Sequence, residues 1–223
     1  CYKFCGKVTN LAGTTVPTMA EELYVVRHGE RRDSVDPEWE DVADRVHDPP
    51  LTELGRWAAW RVGRRFAGRD MEFDAVYASP FLRAVETADE ICRELETVFG
   101  LERGLGEYRN PEWFDDEPET LPRDALCDRF ASLRPGHDSH IVPAFPETHD
   151  AATARIAEAA RLLAAGVDSL LLVGHGITIA GVVAGLAGPD ADVAAPLCGV
   201  TRLERVGGSW RVDYTGDTSH LDV

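Results

Sequence analysis

The tightest constraint on the fold is a strand that ends on reactive side chains. Leu23-Tyr24-Val25-Val26 is apolar, β-branched and aromatic, so it reads as a buried strand. It stops at Arg27-His28-Gly29-Glu30. The same unit recurs downstream, where Ser169–Val173 runs into Gly174-His175-Gly176. A third apolar run, Asp74–Ala78, leads through Ser79-Pro80 into a helical pattern whose first turn carries Arg83. Ser79 is expected to cap that helix, with Pro80 in its first turn. Helical periodicity fills the spaces between these strands: Leu54, Trp57, Ala58, Val62 and Phe66 behind an N-cap at Thr52, and Ala84, Val85, Ala88, Ile91 and Leu95 after Ser79-Pro80. Strands alternating with helices imply an α/β fold of three layers, α/β/α, around a mostly parallel central sheet. Parallel strands share one carboxyl edge, where such sheets carry their ligands. His28, Arg83 and His175 are therefore expected to converge despite their separation in sequence.

The remaining segments are weaker signals. Arg31–Pro50 is polar and acidic and reads as a surface loop leaving the site, and Leu101–Leu105 reads as a short strand. Residues 107–145 are rich in acids and proline and read as an inserted loop or cap with a helix near Arg123–Phe130. An Ala-rich helix is expected over Asp150–Ala165 and another over Ile177–Leu186. Val200–Val206 and Ser209–Tyr214 flank Gly207-Gly208, a hairpin signal. With no internal repeat and no linker, residues 19–223 are expected to form one domain.

Charge narrows the partners. The net charge is −16, which disfavours nucleic acid and anionic membrane surfaces. No apolar run is long enough to cross a membrane. Lys3 and Lys7 are the only lysines, and residues 1–18 hold no Asp or Glu. This break at Met19 predicts that residues 1–18 are a non-native or disordered leader, with natural translation starting at Met19. The acidic, lysine-free body suits a salt-loving host, whose medium screens carboxylate repulsion. Cys92 and Cys198 sit in apolar runs and read as small core residues. Five scattered cysteines point to a reduced, cytoplasmic setting.

Two imidazoles and several guanidiniums suit phosphoryl transfer. A neutral imidazole is a competent nucleophile near pH 7. Planar guanidiniums bind phosphoryl oxygens bidentately and stabilise the charge of the transition state. A carboxylic acid is then needed to protonate the departing alkoxide.

Five motifs occur in order: Arg27-His28-Gly29-Glu30, Leu51-Thr52-x-x-Gly55, Ser79-Pro80-x-x-Arg83-Ala84-x-x-Thr87-Ala88, Leu105-x-Glu107 and Gly174-His175-Gly176. Together they resemble the histidine phosphatase superfamily, with its phosphoglycerate-mutase-like fold. Arg31-Arg32 and Asp48-Pro49-Pro50-Leu51-Thr52 look most like TULA/STS-type phosphatase domains and their microbial relatives. The resemblance implies His28 as nucleophile, and Arg27, Arg83, Arg31 and His175 as phosphate-binding groups. It implies Glu107 as proton donor, a small phosphorylated substrate (phosphoprotein among the options), and neither metal nor cofactor. His175 is followed by Gly and not Asp, which is similar to the branch that draws its acid from mid-chain. Arg31–Asp36 lacks the Asn usual in cofactor-dependent phosphoglycerate mutases. A phosphatase is thus expected ahead of a phosphoglycerate-type mutase or a catalytically silent phospholigand-binding module. His137-Asp138-Ser139-His140 reads as a hydrated loop, not a metal site. His47, His149 and His220 receive no role. Trp39, Trp113 and Phe114 fall in loops, either bordering the site or anchoring those loops to the core.

Overall fold

A computed structural model describes residues 19–222. The expectation for residues 1–18 lies outside the described residues.

The chain runs β1 (Glu22–Arg27), α1 (Trp39–Val42), α2 (Glu53–Ala67), β2 (Ala75–Ala78), α3 (Leu82–Glu94), β3 (Gly100–Leu101), α4 (Arg123–Arg129), α5 (His149–Leu163), β4 (Ser169–Gly174), α6 (Gly176–Ala187), β5 (Val200–Val206) and β6 (Ser209–Asp217). The six strands form one sheet in the order β3-β2-β4-β1-β5-β6. The first four pair in parallel; β5 and β6 add an antiparallel edge. This is the three-layer, mostly parallel architecture expected from the alternation of periods.

Side-chain alternation along β1 divides the core. Tyr24 and Val26 face the cluster built from α2 and α3, with Val62, Phe66, Val85 and Ile91. Leu23 and Val25 face the cluster built from α5 and α6, with Ile156, Leu163, Ile179 and Val182. Both faces of β1 are buried, which explains its unbroken apolar run. The segment from Glu107 onward is tied into this core, since Leu126, Phe130 and Leu133 join the α2/α3 cluster.

Two expectations are corrected. The strand expected over Leu101–Leu105 is only Gly100–Leu101, followed by a 3-10 turn at Arg103–Leu105. Ser79 does not cap α3, which begins at Leu82. The cap comes from the Arg31–Pro50 loop: the buried Asp48 carboxylate accepts the Leu82 N–H at 2.6 Å. Cys92 and Cys198 are buried as expected.

Candidate active site

Strand register brings the site together. β1 and β4 are adjacent, with Arg27 opposite Gly174, and the His28 N–H continues the ladder to the Gly174 carbonyl at 2.8 Å. β2 lies on the other side of β4, and the Ser79 N–H donates to the Val173 carbonyl at 2.9 Å. His28, Ser79 and His175 therefore emerge side by side from one sheet edge. The two imidazole rings stand edge to face with centroids 5.4 Å apart.

Each ring is held by a specific partner. Nδ1 of His28 lies 2.8 Å from the Gly29 carbonyl oxygen. A carbonyl only accepts, so Nδ1 carries the proton and Nε2 keeps its lone pair. Burial, followed by the nearby Arg83, His175 and Arg27, pushes the His28 pKa well below its usual value. The ring is neutral at pH 7. Nε2 of His175 lies 2.8 Å from Ser79 Oγ. The Phe81 N–H also donates to that oxygen, at 3.4 Å. Assigned from these partners, the hydroxyl donates to Nε2 and His175 carries its proton on Nδ1. That atom sits 3.3 Å from a Glu107 carboxylate oxygen. Burial lowers the His175 pKa to about 4 against the opposing pull of Glu107.

The backbone of the first motif is packed, not loose. The Gly29 N–H donates to Thr87 Oγ1 at 3.1 Å, and that hydroxyl donates to the Arg83 carbonyl at 2.7 Å. A Cβ on Gly29 would lie 2.5 Å from the Gly55 carbonyl oxygen, and one on Gly55 would overlap the Glu30 carbonyl. Thr52 caps α2 by accepting the Gly55 N–H at 2.9 Å, and it donates to the Glu30 carboxylate at 2.7 Å. Three sequence motifs thus build one rigid corner. In the last motif, Thr178 accepts the His175 N–H and donates to the Leu105 carbonyl, at 2.8 and 2.9 Å.

Arg83 is fully buried on α3. Its guanidinium reaches Glu107 and the His47 carbonyl, both at 3.3 Å, and stacks on Phe81 at 4.5 Å. Arg27 spends Nη1 on the Ala195 carbonyl at 2.6 Å. Arg31 is a third exposed and pairs with Asp33 at 3.1 Å. Burial acts to raise the Glu107 pKa. His175, Arg83 and the Tyr108 N–H outweigh it and hold the carboxyl well below the usual range. His28, Glu107 and His175 offer ligand atoms close enough for one metal ion. Three guanidiniums, those of Arg27, Arg31 and Arg83, however, line the same cavity as Glu107. That charge balance suits an anion better than a cation.

Arg27, Arg31, Arg83 and Glu107 all line a cavity of about 960 Å³, and His28 and His175 lie buried beside them. Trp39, Trp113 and Phe114 border it too. Tyr108 also lines it, as do His47 and His149, which the sequence reading leaves without a role. Two buried arginines, Arg109 and Arg155, escaped the sequence reading altogether. Arg109 and Arg155 both donate to the Glu107 carbonyl, at 2.6 and 3.3 Å. Arg155 also binds Glu147 and the Gly104 carbonyl. The signal for Arg155 was present as a cation on the apolar face of an Ala-rich helix, between Ala152 and Ile156.

The segment 137–140 is a loop with Asp138 and His140 exposed, as expected, but His137 itself is anchored to the fold. His137 packs on Tyr77 at 4.6 Å and bonds Glu102 at 3.1 Å. Glu102 further accepts the N–H groups of Gly104, His140 and Ile141. This saturated carboxylate staples the insertion to the end of β3. His220 is likewise buried, beside Arg65.

Several known proteins are similar to this chain. The yeast (Saccharomyces cerevisiae) transcription factor tau 55 kDa subunit is 34% identical over 116 residues, 51% of this chain and 26% of that protein. The mitochondrial serine/threonine-protein phosphatase Pgam5 of Drosophila persimilis is 37% identical over 81 residues, 36% of this chain and 25% of that protein. The matches thus span about a quarter of these curated relatives. Among solved structures, the ecdysone phosphate phosphatase of Bombix mori superposes with TM-score 0.68 at 22% identity, covering 88% of this chain and 93% of that one. The phosphoglycerate mutase of Bacillus anthracis superposes with TM-score 0.59 at 23% identity, covering 92% and 96%. These superpositions show a phosphoglycerate-mutase-like fold. The family model described as histidine phosphatase superfamily (branch 1) matches residues 23–218, and the chain belongs to that superfamily.

Proposed function

We propose that the protein is a metal-independent phosphomonoesterase that works through a phosphohistidine at His28. The observation that carries this reading is the Nδ1–Gly29 carbonyl bond. It fixes the tautomer so that a neutral, unprotonated Nε2 is the reactive atom. The substrate enters as a phosphate monoester. Arg27, Arg83, Arg31 and His175 Nδ1–H bind its oxygens. His28 Nε2 attacks phosphorus in line as the P–O bond to the alcohol breaks.

Glu107 supplies the proton that the leaving alkoxide needs. Its carboxyl is held low by Arg83 and His175 while the site is empty. A bound phosphate shares those cations and adds negative charge beside the carboxyl, which favours the protonated form. Once the alcohol leaves, Glu107 is a carboxylate again. It takes a proton from water, and the resulting hydroxide attacks phosphorus. The N–P bond breaks, and neutral His28 and inorganic phosphate are restored.

Hydrolysis of p-nitrophenyl phosphate in EDTA by wild type and His28→Ala tests the reading. Turnover in EDTA that falls at least about a thousandfold in the variant is expected. Equal rates would remove the phosphohistidine step, and dependence on added divalent metal would remove the metal-independent one. Transfer to a second substrate hydroxyl in place of water would mark a mutase.

A further inference from the structure

Glu107 sits on an irregular stretch whose main chain is held from outside the cavity. After the 3-10 turn at Arg103–Leu105, the chain runs extended through Gly106. The carbonyls of four consecutive residues, Gly104 to Glu107, accept hydrogen bonds from buried side chains. Thr178 donates to that of Leu105 at 2.9 Å. Arg155 of α5 donates to those of Gly104, Gly106 and Glu107 at 2.7, 3.2 and 3.3 Å. Arg109 adds a second bond to the Glu107 carbonyl at 2.6 Å.

Arg155 is fully committed. A guanidinium carries five N–H donors in a planar fork. Three of them go to these carbonyls. The other two go to Glu147, from Nε at 3.0 Å and from Nη2 at 2.6 Å. The two side chains are only 6% and 5% exposed, and a bidentate pair of this kind fixes its own orientation. Glu147 also accepts the Arg109 N–H at 3.1 Å. Neither Arg155 nor Glu147 is among the described residues that line the cavity. The clamp reaches the chemistry through the Glu107 carboxylate, whose Oε2 stands 3.3 Å from both Arg83 Nη2 and His175 Nδ1.

Resting on the reading of Glu107 as proton donor, we infer that Arg155 is a positioning residue for that donation. From α5 it fixes the main chain of Glu107, and with it the place of the acid. As His28 Nε2 bonds to phosphorus and the P–O bond to the alcohol breaks, the Glu107 proton passes to the departing oxygen. A proton donor must stand within about 2.6–3.2 Å of that oxygen. A misplacement of about 1 Å costs on the order of a hundredfold. Lysine at this position keeps the charge but replaces the planar fork with a point charge and three rotatable donors. It cannot hold Glu147 and three carbonyls at once.

The test compares kcat/KM for ethyl phosphate and p-nitrophenyl phosphate. This constant covers the steps up to loss of the alcohol and excludes hydrolysis of the phosphoenzyme. Ethoxide needs a proton to leave; nitrophenolate leaves without one. Arg155→Lys is expected to lower the ethyl-to-nitrophenyl ratio of kcat/KM by about tenfold to a hundredfold. Glu107→Gln should lower it by about a hundredfold or more, and adding Arg155→Lys to Glu107→Gln should change it no further. Removing a buried ion-pair partner costs stability, so Glu147→Gln serves as a second variant. It keeps one acceptor oxygen and loses the other from the Arg155 fork, and a fall in the ratio of about tenfold is expected. A partly unfolded population slows both esters equally and leaves the ratio alone. Equal losses on the two esters in Arg155→Lys, or in Glu147→Gln where Arg155→Lys does not fold, overturn the inference; a ratio that still falls in Glu107→Gln then leaves the phosphatase reading in place. Equal losses in Glu107→Gln remove Glu107 as the donor, and the inference with it.

Discussion

The tautomers of the two imidazoles are set by hydrogen bonds to neighbours that carry no charge, the Gly29 carbonyl and the Ser79 hydroxyl. Ser79 is expected to matter because its hydroxyl sets which nitrogen of His175 holds the proton. Ser79→Ala should lower kcat by about tenfold, the worth of roughly one hydrogen bond, and shift the pH profile of kcat, with KM little changed. An unchanged pH profile would show that Ser79 does not control the tautomer. Thr87→Val leaves the buried Gly29 N–H without its partner, while the Arg83 carbonyl keeps only its bond within α3. It should cost about 1–3 kcal/mol of stability, the penalty for a buried unsatisfied group, measurable by urea unfolding. The sequence marked Ser79 as a helix cap because Ser-Pro before a helical run is that signal. The local pattern was right about a helix and wrong about the partner. The real cap, Asp48, sits in an irregular loop far away in sequence, where no periodicity points at it.

At the scale of elements, the strands ending in His were legible because both faces of β1 and β4 are buried, and unbroken apolar runs have few other readings. Their adjacency was expected only as a shared edge. The parallel pairing that sets Arg27 opposite Gly174 is what makes two imidazoles neighbours. Arg83 and Glu107 were found through motif order and lie 3.3 Å apart. Arg109 and Arg155, which clamp the Glu107 carbonyl, were not, since arginine on its own has many surface uses. The Gly29–Gly55 contact has a direct consequence. Gly55→Ala places a methyl group on the Glu30 carbonyl and must move either α2 or the His28 corner. Overpacking of this kind costs about 1–3 kcal/mol. The variant is expected to melt earlier and to lose phosphate affinity as well. Lost stability with full affinity would show that the corner does not set the site.

Over the whole molecule, opposing titrations shape stability. Burial lowers the pKa of His175, and of His220 beside Arg65, to about 4. Unfolded, these rings protonate near pH 6.5, so their contribution is complete above that value and is lost as pH falls from about 6.5 toward 4. Asp48 works in the other direction. Burial raises its pKa to about 6, so the folded state binds the extra proton and stability falls as pH rises from about 4 to 6. Asp48→Asn removes that opposing slope. Its stability relative to wild type should therefore grow between pH 4 and 6, by an amount on the order of 2–3 kcal/mol, in urea titrations at each pH. A difference independent of pH would place the Asp48 carboxyl at its ordinary value. The net charge of −16 acts at longer range. On the proposed function it would repel an anionic substrate until the local guanidiniums take over. Screening shortens from about 10 Å at 0.1 M salt to about 3 Å at 1 M, so the apparent KM for a phosphate ester should fall as KCl rises. A rising KM would mean that chloride competition outweighs the screened repulsion.

The most direct test of the central claim is to quench the enzyme during turnover of a ³²P-labelled phosphate monoester and ask where the label sits. The account predicts a phosphoenzyme that is stable in base and lost in acid, with the label on the peptide containing His28 and absent from His28→Ala. Turnover with no labelled protein, or label on any other side chain, would contradict it.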